Sequence, residues 1–378
     1  MNPLHLIPAI FLAAATQLAA QEMPVDSASS QSSTGQGAIS QDATPPESHR
    51  DTRYSLAVID DATFYSDLQA PLPQVQNQVL VEPSLTLRYK PRWSFSTSLI
   101  GVADRYTDNF SQIRVKEAYA GLSAGDFDFM AGRRIVRWAT GYAFTAAGVL
   151  DPPRIPTNPT DRLKLNEGRD MLKADYVHGP HAFTLAWSTA ALAPEPNVHD
   201  TTAFRYNVLV RGFDTSLIAG HDRGGDSFEA LTFTRVLGEA FEIHGEAAWR
   251  EHEAVLIGGK YTTASGITVI GEFFSPPDIP YFRDATPYPL TGRQHYLYIG
   301  ARKNRLREVP HWKEWDLAVS AVSNLNDLSY TAVIDATRRF GNYFSSYVHL
   351  EVPAGTSKSE YGATPYSAAT SIGLRFQL

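Results

Sequence analysis

Residues 368–378 alternate without a break. Thr370, Ile372, Leu374, Phe376 and Leu378 fall on one side, and Ala369, Ser371, Gly373, Arg375 and Gln377 on the other. A period of two is that of a strand with one face in an apolar medium and one in a polar one. The strand runs to the last residue, and an open strand edge must pair with something. Pairing with the first strand of the chain would close a barrel.

The same texture begins at Arg53. Short alternating segments separated by turn residues number about 18 by this pattern. The clearest are 93–104, 113–122, 170–178, 183–190, 204–211, 241–250, 255–263, 267–275, 315–323, 330–338 and 344–352. In 241–250, Phe241, Ile243, Gly245, Ala247 and Trp249 oppose Glu242, His244, Glu246, Ala248 and Arg250. No segment carries a helical period over a helical length. The connections alternate as well. Short ones, such as Gly179-Pro180, Gly238-Glu239 and Gly341-Asn342, interleave with long ones at 61–77, 139–166, 191–202, 276–291 and 353–367. An outer-membrane barrel has short periplasmic turns and long external loops. The pattern predicts an all-β fold, a closed antiparallel transmembrane β-barrel of residues 53–378, with both ends of the barrel chain on the periplasmic side. Three places fit poorly. The connection 303–313 is long where a turn is expected, 251–253 is short where a loop is expected, and Pro83 interrupts an otherwise good strand.

The N-terminus reads differently. Residues 1–20 resemble a secretory signal, with an apolar stretch from Leu4 to Ala15 and Ala19-Ala20 before Gln21. Residues 21–52 are Ser, Gln, Thr, Asp and Pro with little to bury, the composition of a disordered periplasmic leader.

Composition adds little to this picture but removes several alternatives. No run of about 18 apolar residues occurs after the N-terminus, so no helical span is expected. Tyr 18, Phe 19 and Trp 6 are enough for aromatic girdles at two interfaces. Cysteine is absent, which excludes disulfides and thiolate sites. The net charge of -7 makes no case for nucleic acid.

If the apolar faces meet lipid, the opposite residues line a lumen. An inward charge costs little there, whereas Arg or Lys facing mid-bilayer lipid costs about 2–4 kcal/mol. The inward set is lopsided. A basic wall comprises Arg114, Lys116, Arg133, Arg137, Arg169, Lys173 and Arg205. An acidic wall comprises Glu242, Glu246, Glu272, Asp335 and Glu351, with His244 and His349 among them. Opposed walls would set a transverse field across a pore and select charged solutes; the alternative is that the charges pair and plug the barrel. Gly132-Arg-Arg134 puts adjacent arginines on opposite faces unless a bulge intervenes. The loop 139–166 contains four prolines and the apolar run 142–150, poorly placed in bulk water, so infolding as a constriction is expected.

Lys116-Glu-Ala-Tyr119, Gly132-Arg-Arg-Ile-Val-Arg-Trp138, Gly141-Tyr142, Asp151-Pro-Pro153, Pro156, Pro159 and Glu167-Gly-Arg-Asp-Met-Leu172 resemble a strand–loop–strand block of porin-like Gram-negative outer-membrane barrels. Alginate-export-type channels are the nearest named group. Ser371, Gly373, Phe376 and Leu378 resemble the terminal signal read by the barrel-assembly machinery. The resemblance implies location in the cell outer membrane, contact with its lipid and lipopolysaccharide, and passage of small polar solutes. It implies no cofactor. The expected function is a passive channel. A polysaccharide exporter, a plugged scaffold for an envelope polymer and a barrel-embedded hydrolase are the alternatives. For the last, His244 with Glu242 and Glu246 is the nearest approach to a catalytic or metal group, but same-face residues two apart lie about 7 Å from each other.

Overall fold

The computed structural model describes residues 50–378 apart from 70–72, 90–91, 105–110, 159–161, 190–199, 224, 226, 251–252, 277–293, 307–308 and 310. The expected signal and nearly all of the expected leader lie outside the described residues.

Eighteen strands follow one another. They are β1 (Arg50–Ser66), β2 (Val75–Tyr89), β3 (Trp93–Asp104), β4 (Ser111–Ala124), β5 (Phe127–Arg134) and β6 (Arg169–His178). Next come β7 (His181–Thr189), β8 (Thr201–Val210), β9 (Phe213–Asp222), β10 (Ser227–Leu237), β11 (Phe241–Trp249) and β12 (Glu253–Thr262). The last are β13 (Ile267–Ser275), β14 (Tyr296–Lys303), β15 (Trp315–Asn324), β16 (Tyr330–Phe340), β17 (Phe344–Ala354) and β18 (Ala368–Gln377). Each pairs antiparallel with the next. β18 also pairs with β1, from Ala57 opposite Gln377 to Ser66 opposite Ala368, so the sheet closes. Beyond that ladder, Leu378 N–H donates to Leu56 O at 2.9 Å.

The period of two becomes an inside and an outside. Leu172, Leu185, Phe204, Leu217, Ile257, Ile299, Ile372 and Leu374 are exposed on the outer surface, while at least one sequence neighbour of each is buried inside. Closure removes every sheet edge, the one way a strand can satisfy its backbone in lipid. Aromatic side chains fit over inward glycines: a Cβ at Gly373 would lie 2.2 Å from the Tyr347 ring, and one at Gly220 would lie 2.2 Å from Phe228.

The misfits have local causes. β1 begins at Arg50, inside the expected leader, and continues to Ser66, so the connection expected at 61–77 shrinks to 67–74. In the barrel Asp61 accepts from Tyr347 Oη at 2.6 Å, and Asp60 accepts from Asn77 Nδ2 at 2.7 Å. Pro83 stays inside β2 opposite Leu56, but the β2–β3 ladder is interrupted between Val81 and Ser84, where it has no N–H to give. One strand further on, the β3–β4 register shifts at Ser98/Leu99 and leaves Lys116 without an opposite number. This bulge turns Lys116 inward onto Glu82, whose two oxygens each lie 2.9 Å from Nζ. The connection 304–314 remains long at the short-turn end, and its Trp312 lies against Trp315 at the start of β15 with ring centroids 5.0 Å apart.

Candidate functional site: the loop inside the barrel

The connection 135–168 leaves β5 and returns to β6, yet its contacts lie far around the ring. Its apolar residues supply the barrel core. Val136, Trp138, Ala147 and Leu150 pack on Met130, Met171, Ala186, Ala203, Ile218, Phe228 and Ala230, inner-face residues of β5 to β10. Ala143 and Phe144 pack on Leu256, Ile270, Phe274, Tyr296, Tyr298 and Val322 of β12 to β15, with the Phe144 and Phe274 rings stacked at 4.9 Å. Leu163 and Leu165 pack on Ile59, Leu80, Ile100 and Tyr347 of β1, β2, β3 and β17. A segment that touches all these walls runs inside the barrel. The apolar run 142–150, awkward in water, is buried there.

Carboxylates of the inner wall hold it. Glu246 Oε1 accepts from Thr140 N and Oγ1 and, at 2.7 Å, from Gly141 N; its Oε2 accepts from Ala146 N at 2.7 Å and Ala147 N at 2.8 Å. Glu272 accepts from Tyr142 N, from Ala143 N at 2.8 Å and from Phe144 N at 3.2 Å, and lies 3.0 Å from His244 Nε2. Glu242 receives Tyr142 Oη at 2.8 Å and Lys260 Nζ at 2.6 Å. A loop folded without secondary structure has backbone N–H groups that water cannot reach. Two buried carboxylates, each with about four lone-pair sites, satisfy them. Inside the loop, Asp151 accepts from Trp138 N at 2.7 Å and Ala139 N at 3.1 Å. Burial raises the Asp151 carboxyl above its ordinary pKa, against the lowering effect of those two N–H groups. Gly141 has no room for a side chain, since a Cβ would lie 2.4 Å from Phe144 O and 2.7 Å from Leu256.

The acidic wall and the infolded loop, separate expectations from the sequence, are therefore one device. Glu242, Glu246 and Glu272 stand on the inner wall, but they face loop backbone and Lys260 rather than an open basic wall. Asp335 pairs with His349 Nδ1 at 2.7 Å, and Glu351 accepts from Tyr366 Oη at 3.3 Å. The residues expected as a basic wall are largely committed too. Arg114 meets Glu167 at 2.6 Å, Lys116 meets Glu82, Lys173 pairs with Asp175, and Arg205 donates to Ser216 Oγ at 3.0 and 2.8 Å. Arg169 starts β6 on the inward parity of Met171. Arg133 has the backbone parity of outward Phe127 and Phe129, but its largely buried guanidinium meets Asp170 at 2.6 Å and lies 3.7 Å from Glu167, while Arg134 stacks inward on Tyr119 at 4.7 Å. Arg137 lies on the loop itself. It is exposed between wall-packed Val136 and Trp138 and so faces away from the wall.

The resemblance block collects at the loop's root. Lys116, Tyr119, Arg133, Arg134, Asp151 and Glu167 make the contacts just given. Sequence reading gave no role to Asp61, Glu82 and Lys260, and named Arg162 only as a charge of the long loop. Lys260 was within reach, because β12 pairs with β11 and so places it opposite Glu242. Of the terminal residues, Ser371 Oγ meets Thr63 Oγ1 at 2.7 Å and accepts from Arg162 Nη2 at 2.9 Å. Gly373 makes room for Tyr347, and Phe376 packs on Phe344 with ring centroids 4.8 Å apart.

No protein-family profile and no curated protein matches this chain. Solved structures do. The Pseudomonas aeruginosa outer membrane protein OpdK superposes with a TM-score of 0.60 at 8% identity, over 87% of this chain and 98% of that one. P. aeruginosa OccK11 (OpdR) gives 0.58 at 8% identity, over 86% and 96%. P. aeruginosa OpdQ gives 0.57 at 8% identity, over 87% and 99%. At such identities the likeness is one of fold: this chain has the 18-strand closed barrel of those outer-membrane proteins.

Proposed function

We propose that this protein is an outer-membrane channel through which small polar solutes pass passively, with the loop 135–168 as its constriction. The observation that carries the reading is the loop held across the inner wall by Glu246 and Glu272. A barrel of this strand number is wide, and a stiff infolded segment narrows it to the size of a small solute. The apolar outer face, the closed sheet and the fold likeness to OpdK and OpdR support placement in the outer membrane. Lipid and lipopolysaccharide would contact that face, and the barrel-assembly machinery would act on β18. Residues 1–20 would direct export, and 21–49 would form a periplasmic leader.

Most lumen charges are paired in place. Selection would therefore come from width and from the few free groups, Arg137 foremost, rather than from two opposed bare walls. An alginate-export-type role needs a long basic path for an anionic polymer, and the pairing of Arg114, Lys116 and Lys173 argues against one. His244, buried between Glu242 and Glu272, supports the loop anchor, and no serine hydroxyl is bonded to it among the described residues, so this geometry gives the hydrolase reading no nucleophile.

Liposome swelling tests the proposal. Vesicles carrying the purified protein should swell in small neutral sugars and lose the response as solute size grows. Equal swelling in large and small solutes would remove the constriction, and no swelling in any solute would remove the channel.

A further inference from the structure

A cavity of about 170 Å³ lies between the returning half of the loop and the inner faces of β1, β2, β17 and β18. At about 30 Å³ per water in the liquid it has room for roughly five or six waters, or one solute of monosaccharide size. Its lining is dense in groups that both give and accept hydrogen bonds. Gln76, Gln78 and Asn158 offer amides, and Thr63 and Ser371 offer hydroxyls. Glu351 faces the same space with one phenol bond to it. Tyr65 and Tyr366 add two rings with centroids 5.1 Å apart at 48°, the apolar faces on which a sugar ring rests.

The two basic groups here are each held by a carboxylate. Arg162 Nε lies 3.5 Å from Asp61 Oδ2, and His349 pairs with Asp335. An anion entering would meet Asp61 and Glu351 beside Arg162, and a cation would meet Arg162 itself. Arg162 Nε is shielded from solvent and makes only this long contact with Asp61, with no hydrogen bond of ordinary geometry. Given the channel reading, on which this inference rests, we propose that the cavity is a binding subsite for a neutral polyhydroxylated solute of hexose size, met during passage along the constriction.

The test is equilibrium binding to the full-length protein in detergent, followed by saturation-transfer NMR with D-glucose, D-glucosamine and D-glucuronate as probes. Glucose should bind saturably, with the amine and the acid weaker. Glu351→Gln and Gln76→Ala, each verified as folded by retained heat-modifiable mobility, should each weaken glucose by about tenfold. Unsaturable glucose binding, preference for either charged probe, or two folded variants that bind as wild type does would overturn the subsite. Conductance measured on the same preparations separates the two ideas. Current without glucose binding removes the subsite alone, and binding without current removes the channel reading alone.

Discussion

Replacing Glu246 by alanine should free the constriction while leaving the barrel standing. The carboxylate accepts backbone N–H groups from Thr140, Gly141, Ala146 and Ala147. Each bond to a charged acceptor contributes about 1.5–3 kcal/mol, and these four are not additive because they share one group. Its loss leaves these buried N–H groups unsatisfied at about 1–3 kcal/mol each, together about 3–5 kcal/mol once non-additivity is allowed for, a shift of roughly 10²–10⁴-fold in the docked-to-free ratio. β11 keeps its ladders to β10 and β12, which use backbone alone. Hydrogen exchange at 140–147 should therefore accelerate by about that factor, with exchange in β11 unchanged, and single-channel conductance should rise. Glu246→Gln should fall between the two, since its amide nitrogen cannot accept. Unchanged protection of 140–147 in a folded Glu246→Ala, Glu272→Ala double variant would refute the reasoning.

Other consequences can be checked separately. Arg137→Glu should shift the reversal potential toward cation selectivity, whereas Arg133→Ala, paired with Asp170 on the outward parity, should leave selectivity as it is and only lower the barrel's thermal transition. Gly373→Leu drives a side chain into the Tyr347 ring and breaks its bond to Asp61; overpacking of this kind costs about 1–3 kcal/mol, to be read as a lower temperature of heat-modifiable unfolding. Glu360, in the connection 355–367, accepts from Asn324 Nδ2 at 2.7 Å and Tyr296 Oη at 3.2 Å, and burial raises its pKa. Because the folded value lies above the unfolded one, its contribution to docking is complete below the unfolded pKa and fades as pH rises through the folded one. The protection factor at 359–364, with the intrinsic pH dependence of exchange removed, should fall with rising pH in wild type, and Glu360→Gln should flatten that dependence. Deleting Phe376-Gln-Leu378 removes the Phe344 contact and the Leu378–Leu56 bonds, so the protein should fail to enter the outer membrane fraction rather than enter with altered current.

Much of the barrel was legible because lipid imposes a period of two on every strand. The ends of Ile267–Ser275 and Trp93–Asp104 follow from the residues alone. The start of β1 was hidden because Arg50, Asp51 and Arg53 sit where the outward belt has already ended, and only pairing with β2 makes them a strand. Glu246 and Glu272 were legible as inward. Their partners were not, since those lie on an aperiodic segment some hundred residues away, 106 between Thr140 and Glu246. Strand order places a residue around the ring, but nothing in the alternation says that a loop will reach it. The role of Arg162 was invisible for the same reason, and Glu82 was obscured by Pro83 beside it.

The central claim is a passage narrowed by a docked loop, and the planar-bilayer current of the purified wild-type protein tests it most directly. The account predicts discrete current steps of one small size, with no large-conductance state. Complete absence of steps would mean that the loop plugs the barrel, and steps as large as those of the Glu246→Ala, Glu272→Ala variant would mean that it constricts nothing.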